Sequence, residues 1–404
     1  MTGAMYASVA GLKTHMSAMN VIGHNIANVN TNAYKASSYT FKESLYTTSR
    51  GGSDGTPTNG GVNPAQIGYG CSIGSIDMDM GSKNYSPTGR ELDICIDGDG
   101  FLMVGDKTQG PFTSTDSLKS LDLERLGRLK FDAQGYLTDD QGRVVYGFAA
   151  VYDADAGEPN GTLNTKSKYA ANLTPIRIPY VNEKGFALFP TVYGGTGDNN
   201  TTAPDTTATG WVPNTDGLTA DDAGRVVDSL PTKADDGTGN GGGADGTPDP
   251  DAKRALLDSI QISTEGVITG TIKDSDQTIV IGQIAMGMVD NPEGLTHTDG
   301  RYFRAMEGAG NVYAGSMGGL VDNTEVNNDN NQGGNGTDNQ APPETPEIKA
   351  AGTTRTISGG LESSGTDLAQ EISNMILIQR GYQANTRIIT VTDSMLEELV
   401  NMKR

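Results

Sequence analysis

The residues to weigh first for chemistry are three histidines, two cysteines and one acidic turn. His15, His24 and His297 have no Cys, His, Asp or Glu beside them at a metal-ligand spacing, and His15 and His24 read as packed or solvated side chains of a helix. Asp97-Gly98-Asp99-Gly100 has the look of a calcium loop, but Cys95 stands where a ligand would be needed. An Asp-Gly pair between apolar runs is better read as a hairpin turn. Cys95 lies in the strand-like run Leu92 to Ile96 and reads as a buried thiol; the sequence leaves a bridge to Cys71 open. The metalloprotease, nucleophile-elbow and phosphate-loop patterns are absent, and nothing selects the acid pair a glycan-active enzyme would need. The reading is of a chain that is not an enzyme, with no cofactor, metal or catalytic residue.

What does recur with regular spacing is apolar. Met5, Val9, Leu12, Met16, Met19 and Ile26 mark one edge of a helix over residues 5–28, with Gly23 as the gap. At the other end, Leu361, Leu368, Met375, Tyr382, Ile389 and Leu396 recur every seven residues, and Ile372 and Val400 add second seam positions. The chemistry these residues can do is burial. Both stripes sit at the termini, separated from the middle of the chain by polar stretches. A terminal helix with no adjacent core to cover must pair with its opposite number, with another subunit, or with both.

The elements between them are of another kind. Hydrophobic residues make up 35% of the chain and glycine accounts for 55 residues, a composition that favours turns and short strands. The 29 basic against 50 acidic residues leave a net charge of −21, which argues against nucleic acid or an anionic membrane as partner. No apolar run approaches the roughly 18 residues of a membrane span. The N-terminus is amphipathic and lacks the apolar core of a secretory signal peptide, so export would have to leave it intact.

Along the chain, Asn28, Asn30 and Asn32 favour the end of the first helix. A loop over 50–64 and an edge strand over 67–80 follow. A β meander is expected over 91–148, with Glu91 to Ile96 returning through the acidic turn as Phe101 to Val104. A loop-rich insertion follows, containing Trp211, then strands over 257–286, then an Asn/Asp/Gly-rich linker over 322–346. Ser363, Ser364 or Thr366 is expected to cap the final helix, which should soften around Gly381.

The terminal runs carry a resemblance. Val21-Ile22-Gly23-His24-Asn25-Ile26-Ala27-Asn28-Val29-Asn30-Thr31 with Tyr34-Lys35 is similar to the N-terminal signature of the bacterial flagellar rod, hook and hook-associated axial proteins. Leu361-Glu362-Ser363-Ser364, Asp367-Leu368-Ala369 and Gln379-Arg380-Gly381-Tyr382-Gln383-Ala384-Asn385 resemble the C-terminal signature. Leu92-Asp93-Ile94, Gly98-Asp99-Gly100-Phe101, Leu126-Gly127-Arg128-Leu129 and Asn291-Pro292-Glu293-Gly294-Leu295 resemble the internal β blocks. The insertion of about a hundred residues after Phe148 is similar to that of hook members; distal rod and hook–filament junction members are the alternatives.

That resemblance implies a multidomain fold, a terminal α-helical coiled-coil domain plus mainly-β D1 and D2 domains. It places paired D0 helices at 1–32 and 355–404 and a connector at 33–90. D1 falls at 91–148 and 286–354, and D2 at 149–285. It implies a helical homopolymer forming the flexible tubular joint between rod and filament, with the stripe residues as subunit contacts. It further implies as partners the distal rod protein, the hook-capping protein, the hook–filament junction protein and the flagellar type III export apparatus. Localisation would be extracellular, in the flagellum, without a cleaved signal. Export recognition falls on Met5 and Val9 by alignment, or on Phe41 and Leu45 by literal match. Two departures stand out: His24 replaces a commoner Asn, and Asn32-Ala33 replaces the usual small residue and Gly before the aromatic-Lys pair.

Overall fold

The computed structural model describes residues 2–55, 60–107, 112, 116–150, 152–153, 162–163, 169–178, 180–181, 187–188, 253–254, 256–273, 278–298, 300–319 and 348–402. The expectations for Trp211, for the linker at 322–346 and for most of the insertion lie outside the described residues. The chain divides into two compact units, Met1–Met80 with Ser363–Arg404, and Gly81–Glu362.

The first unit holds both long helices, α1 over Thr2–Ala27 and α2 over Leu368–Met402. Neither is long and apolar enough to cross a membrane. Asp367, not Ser363, Ser364 or Thr366, caps α2: its Oδ1 accepts the backbone N–H groups of Ala369 and Gln370 at 3.0 and 3.2 Å. Ser364 and Thr366 serve the other helix instead. Their hydroxyls donate to the carbonyls of Asn28 and Asn25 at 2.9 and 3.2 Å, adding a second bond to acceptors that already take the backbone N–H groups of Thr31 and Asn28 at the end of α1. Nor does α2 soften at Gly381; it runs unbroken for 35 residues.

Residues expected to be mere connector are folded here. Ser37–Glu43 pairs antiparallel with Cys71–Met78, and Tyr46–Arg50 with Ala65–Gly68. The pairing sets Tyr39 opposite Ile76 and Phe41 opposite Ile73, aromatic on aliphatic, which is what a two-stranded ribbon needs to hold its register. The ribbon lies along α1. Asn25 and Thr14 reach the carbonyls of Ser37 and Cys71 at 2.8 and 3.0 Å, and the His15 ring meets Phe41 edge-on at 5.7 Å.

The second unit is β throughout its described residues, apart from short 3-10 turns. Its main sheet runs, in spatial order, Leu257–Ile262, Val267–Ile272, Thr278–Ile284, Val144–Ala150, Phe101–Gly105, Met286–Val289, Val312–Ser316, Ile348–Ala350. Neighbours are antiparallel except for the last pair. The strands at 257–284, expected in an outer domain, continue the sheet that holds 101–105. Their inward residues explain this: Ile268, Ile272, Ile279, Ile281 and Ile284 share one core with Ile94, Ile96, Leu102 and Val104. The later part of the expected meander does pair as successive hairpins, with Phe131 opposite Leu137 and Thr138 opposite Val144.

The acidic turn does not make a hairpin. Asp93–Asp97 pairs with Arg355–Ser358 and Gly127–Arg128, while Phe101–Gly105 belongs to the main sheet, so the turn carries the chain from one sheet to another. Its backbone carbonyls face a guanidinium rather than a cation: Arg125 donates to the carbonyls of Ile96, Gly98 and Gly100. Cys95 is buried in the strand before the turn, and both cysteines are thiols. Among the described residues no group of three or more His, Cys, Asp or Glu is placed to hold a metal ion.

Candidate assembly surface

The candidate site is the helix pair of the first unit. α1 and α2 run antiparallel, with Gly11 facing Asn385, Gly381 facing His15, and Asn25 bonded to Glu371. The residues of α1 that this packing buries are Ser8, Gly11, Thr14, Ala18, Ile22 and Asn25, a row of mostly small side chains at steps of three and four. Small residues let the helices approach closely. A Cβ added at Gly11 would stand 2.6 Å from the Asn385 side chain, and one at Gly381 would stand 2.8 Å from the His15 ring. The hydroxyls of Ser8 and Thr14 are satisfied by the carbonyls four residues back, at 2.8 and 2.9 Å.

Asn25 closes one end of the seam. Wholly buried, it donates to Ser37 O and Glu371 Oε1 at 2.8 and 2.9 Å, and accepts from the Tyr34 hydroxyl and the Ser37 N–H at 2.9 and 3.0 Å. A buried amide with all four bonds made fixes register, because any slip strands its partners. Burial, with the Glu371 charge behind it, pushes the Tyr34 phenol up to about 12, so it stays a neutral donor. Just before it, Ala33 holds a left-handed backbone with φ at 58°. This is the position where the resemblance expects glycine, and the conformation explains why.

The apolar stripes read from the sequence are not the buried seam; they flank it. Met5, Val9 and Met16 are exposed, the last by 54%. Leu12, Met19 and Ile26 are half-buried, and Met19 and Ile26 pack against Ala18, Ile22 and Ile378. On α2, Leu368, Ile372, Tyr382, Leu396 and Val400 are exposed, and Met375 and Ile389 half-buried. Leu361 is a correction: it lies in the strand Gly360–Glu362 of the β unit, buried there, and is no part of a helix. Of the residues weighed for export, Phe41 and Leu45 are exposed on or beside the ribbon, as Met5 and Val9 are on α1.

Sequence reasoning missed the small-residue row. The signal was present as Ser8, Gly11, Thr14 and Ala18 at helical steps, hidden beside a louder apolar stripe one position away. The helix register has a further consequence. Carried to the start of α1 at Thr2, it reaches only Ser394. Met395, Leu396, Leu399, Val400 and Met402 therefore stand beyond the pair, all exposed. A surface of this kind, with large apolar side chains held out by a well-packed seam, does no chemistry on small molecules. Exposed apolar area of this kind is what protein–protein contacts cover.

Comparison with known proteins bears on what those surfaces belong to. Residues 357–402 match the family model of the flagellar basal body rod FlgEFG protein C-terminal region. The chain is 28% identical to the flagellar basal-body rod protein FlgG of Bacillus subtilis, with all of both chains covered. It is 26% identical to the flagellar hook protein FlgE of Borreliella burgdorferi, again over the full length of both, and 25% identical to FlgE of Escherichia coli over 98% of this chain and 99% of that one. Over the whole chain, then, the likeness is to flagellar rod and hook proteins. Among solved structures, the Helicobacter pylori hook protein FlgE2 covers 56% of this chain and 95% of its own, at 10% identity and a TM-score of 0.27, too slight a likeness to carry an argument. The stretch matched by the family model holds the whole of α2 and the strand before it. It therefore takes in the α2 side of the seam and the exposed end of α2.

Proposed function

We propose that this chain is a structural subunit that polymerises into the flagellar hook, the tubular joint that transmits torque from rod to filament. One observation carries the reading. The helix pair is closed by small and polar residues, and it leaves Met5, Val9, Met16, Ile372, Ile376, Leu377 and the end of α2 facing solvent. Burying one such side chain contributes roughly 1.5–3 kcal/mol. A dozen of them per subunit, repeated head to tail without closure, favour an open helical polymer. In this reading the helix pair is D0 and lines the tube, the β body is D1, and the insertion after Phe148 forms D2 outside. The partners are further copies of the chain, the distal rod, the hook cap, the hook–filament junction proteins and the type III export apparatus. The subunit leaves the cell with its N-terminus intact, and Met5 with Val9 or Phe41 with Leu45 is read during export.

A distal rod subunit is the second reading, favoured by the full-length likeness to the B. subtilis rod protein. The two differ in product, a curved flexible tube or a straight one, and negative-stain microscopy of polymer grown from purified protein separates them. The assembly claim is tested by Leu399→Asp with Val400→Asp in the full chain. Both residues are exposed, so the subunit's helicity and melting should be unchanged while polymer is lost. Tubes that form normally from this variant would sink the proposal.

A further inference from the structure

The β unit ends at Glu362 and begins at Gly81, so the chain passes between the two units at two points, 80–81 and 362–363. Inside the β unit the two ends are tied side by side. Tyr85–Pro87 and Gly360–Glu362 form an antiparallel ribbon of three residues a strand, with Glu362 opposite Tyr85. Two strands this short do not hold themselves together.

At one end the ribbon continues in bonds from the Thr88 and Gly89 N–H groups to Gly359 O; at the other, Glu362 supplies the hold. Its carboxylate is buried, and each oxygen is engaged by a different part of the chain. Oε1 accepts the backbone N–H of Lys83 at 2.8 Å, just inside the first crossing. Oε2 accepts Arg125 Nε at 3.0 Å. The rest of that guanidinium is spent on the carbonyls of Ile96, Gly98 and Gly100 in the turn that joins the two sheets, with Gly98 O at 2.6 Å, and its plane lies near the Phe101 ring. One side chain thus connects the first crossing, the last strand and the turn between sheets. A buried ion pair adds little net stability over an apolar pair of the same volume, but it tolerates only one arrangement. At this place the arrangement is the point of it.

We propose that Glu362, positioned by Arg125, is the anchor that pins both crossings of the chain to the β body, so that the 85–87/360–362 ribbon opens only when the carboxylate is released. In a torque-bearing subunit these two crossings are the covalent route by which load passes between the helical unit and the β body. That use of the anchor rests on the proposed function; the anchoring itself does not.

The test is hydrogen exchange by residue on the full-length chain in its unpolymerised form, so the result does not depend on whether tubes form. Glu362→Gln keeps an acceptor for Lys83 but loses the charge that holds Arg125. Exchange of the Lys83 amide and the ribbon amides should quicken about ten-fold or more, while the amides of 101–105 and 286–289 change less than about two-fold. The double variant Arg125→Met with Glu362→Met removes the pair without orphaning a charge. It should restore the melting of the β body and leave the ribbon open. Unchanged ribbon exchange in Glu362→Gln, uniform quickening across the β body, or a ribbon closed again in the double variant would each overturn the proposal.

Discussion

The two units solve the burial problem in opposite ways. The β unit puts its large apolar residues inside: Ile94, Ile96, Leu102, Val104, Val145 and Met286 are all essentially inaccessible. It also folds charges inward in pairs, such as Arg304 with Asp122 at 2.7 Å and Arg125 with Glu362 at 3.0 Å. The helical unit buries Ser8, Gly11, Thr14, Ala18 and Asn25 and keeps Met16, Ile376, Leu377 and Val400 outside. A unit of the first kind is complete as a single chain. A unit of the second kind uses its small residues to fix the helix pair and leaves large apolar side chains uncovered, the ones that the proposed assembly would bury.

Matched truncations should break this comparison if it is wrong. Leu102→Ala removes a core side chain and should cost about 2–5 kcal/mol in the unfolding of the β unit. Met16→Ala removes a side chain of similar size and should change the unfolding of the helical unit by no more than about 0.5 kcal/mol. In polymerisation the ranking should reverse: Met16→Ala should raise the critical concentration several-fold, measured by sedimentation. An equal loss of monomer stability at both sites would mean that Met16 is already part of a core.

The inward charges of the β unit give the next effect. Burial, set against Arg301 and helped by the neighbouring Asp139, lifts the Glu124 carboxyl from its ordinary 4.5 to about 8. Tyr302, which donates to Asp139, is likewise raised, by burial first. Between those two values the folded unit keeps a proton on Glu124 that the unfolded chain has released. Its stability is therefore greatest below pH 4.5 as far as this group is concerned, and falls as pH rises through 8. The loss should be on the order of 5 kcal/mol in full, most of it between pH 5 and pH 8. Denaturant melts of the β unit at pH 5 and pH 9 measure it, and Glu124→Gln should flatten the difference. No carboxyl is buried among the described residues of the helical unit, and its melting should change less over the same range.

How far these properties could be read in advance differs between the units. Helices at both ends, the hairpin at 130–138 and the turn into Val144 follow from local periodicity and turn chemistry, and they are found where those signals put them. The surface rows were legible as rows, because a heptad is a property of the sequence alone. Which row is buried was not. That depends on how closely two distant segments approach, and the steric allowance is written in absences, Gly11 against Asn385 and Gly381 against His15. Leu361 shows the same limit from the other side: its heptad phase is right, but pairing with Ser86 holds it in a strand. Arg125 carried no local signal, since its partners lie as far off as Glu362.

The close seam itself is the next place to press. Gly381→Ala adds a methyl that meets the Cε1 and Nε2 atoms of His15 at 2.8 Å. Those atoms are the end of a side chain, but the ring is held edge-on to Phe41 and its Nδ1 is buried without a hydrogen-bond partner, so it has little room to give. Overpacking here should cost about 1–2 kcal/mol, net of the higher helix propensity of alanine. Thermal melts of the helical unit give the number. His15→Ala in the same background should recover most of it, because the clash would then be gone.

The smallest effect runs the other way. Ala33 follows the end of α1 at φ 58°, where an L side chain is disfavoured and glycine is not. Its neighbours leave no freedom to relax: Tyr34 is bonded to Asn25 through its hydroxyl and to the Gly365 N–H through its carbonyl, at 2.9 and 2.8 Å. The strain is held in place by the same network that fixes the helix register. Ala33→Gly should therefore stabilise the helical unit, by about 0.5–1 kcal/mol once the extra entropy of glycine in the unfolded chain is subtracted. The β unit should not respond. A loss of stability instead would mean that the methyl group, itself nearly buried, contributes more by packing than the backbone loses by strain.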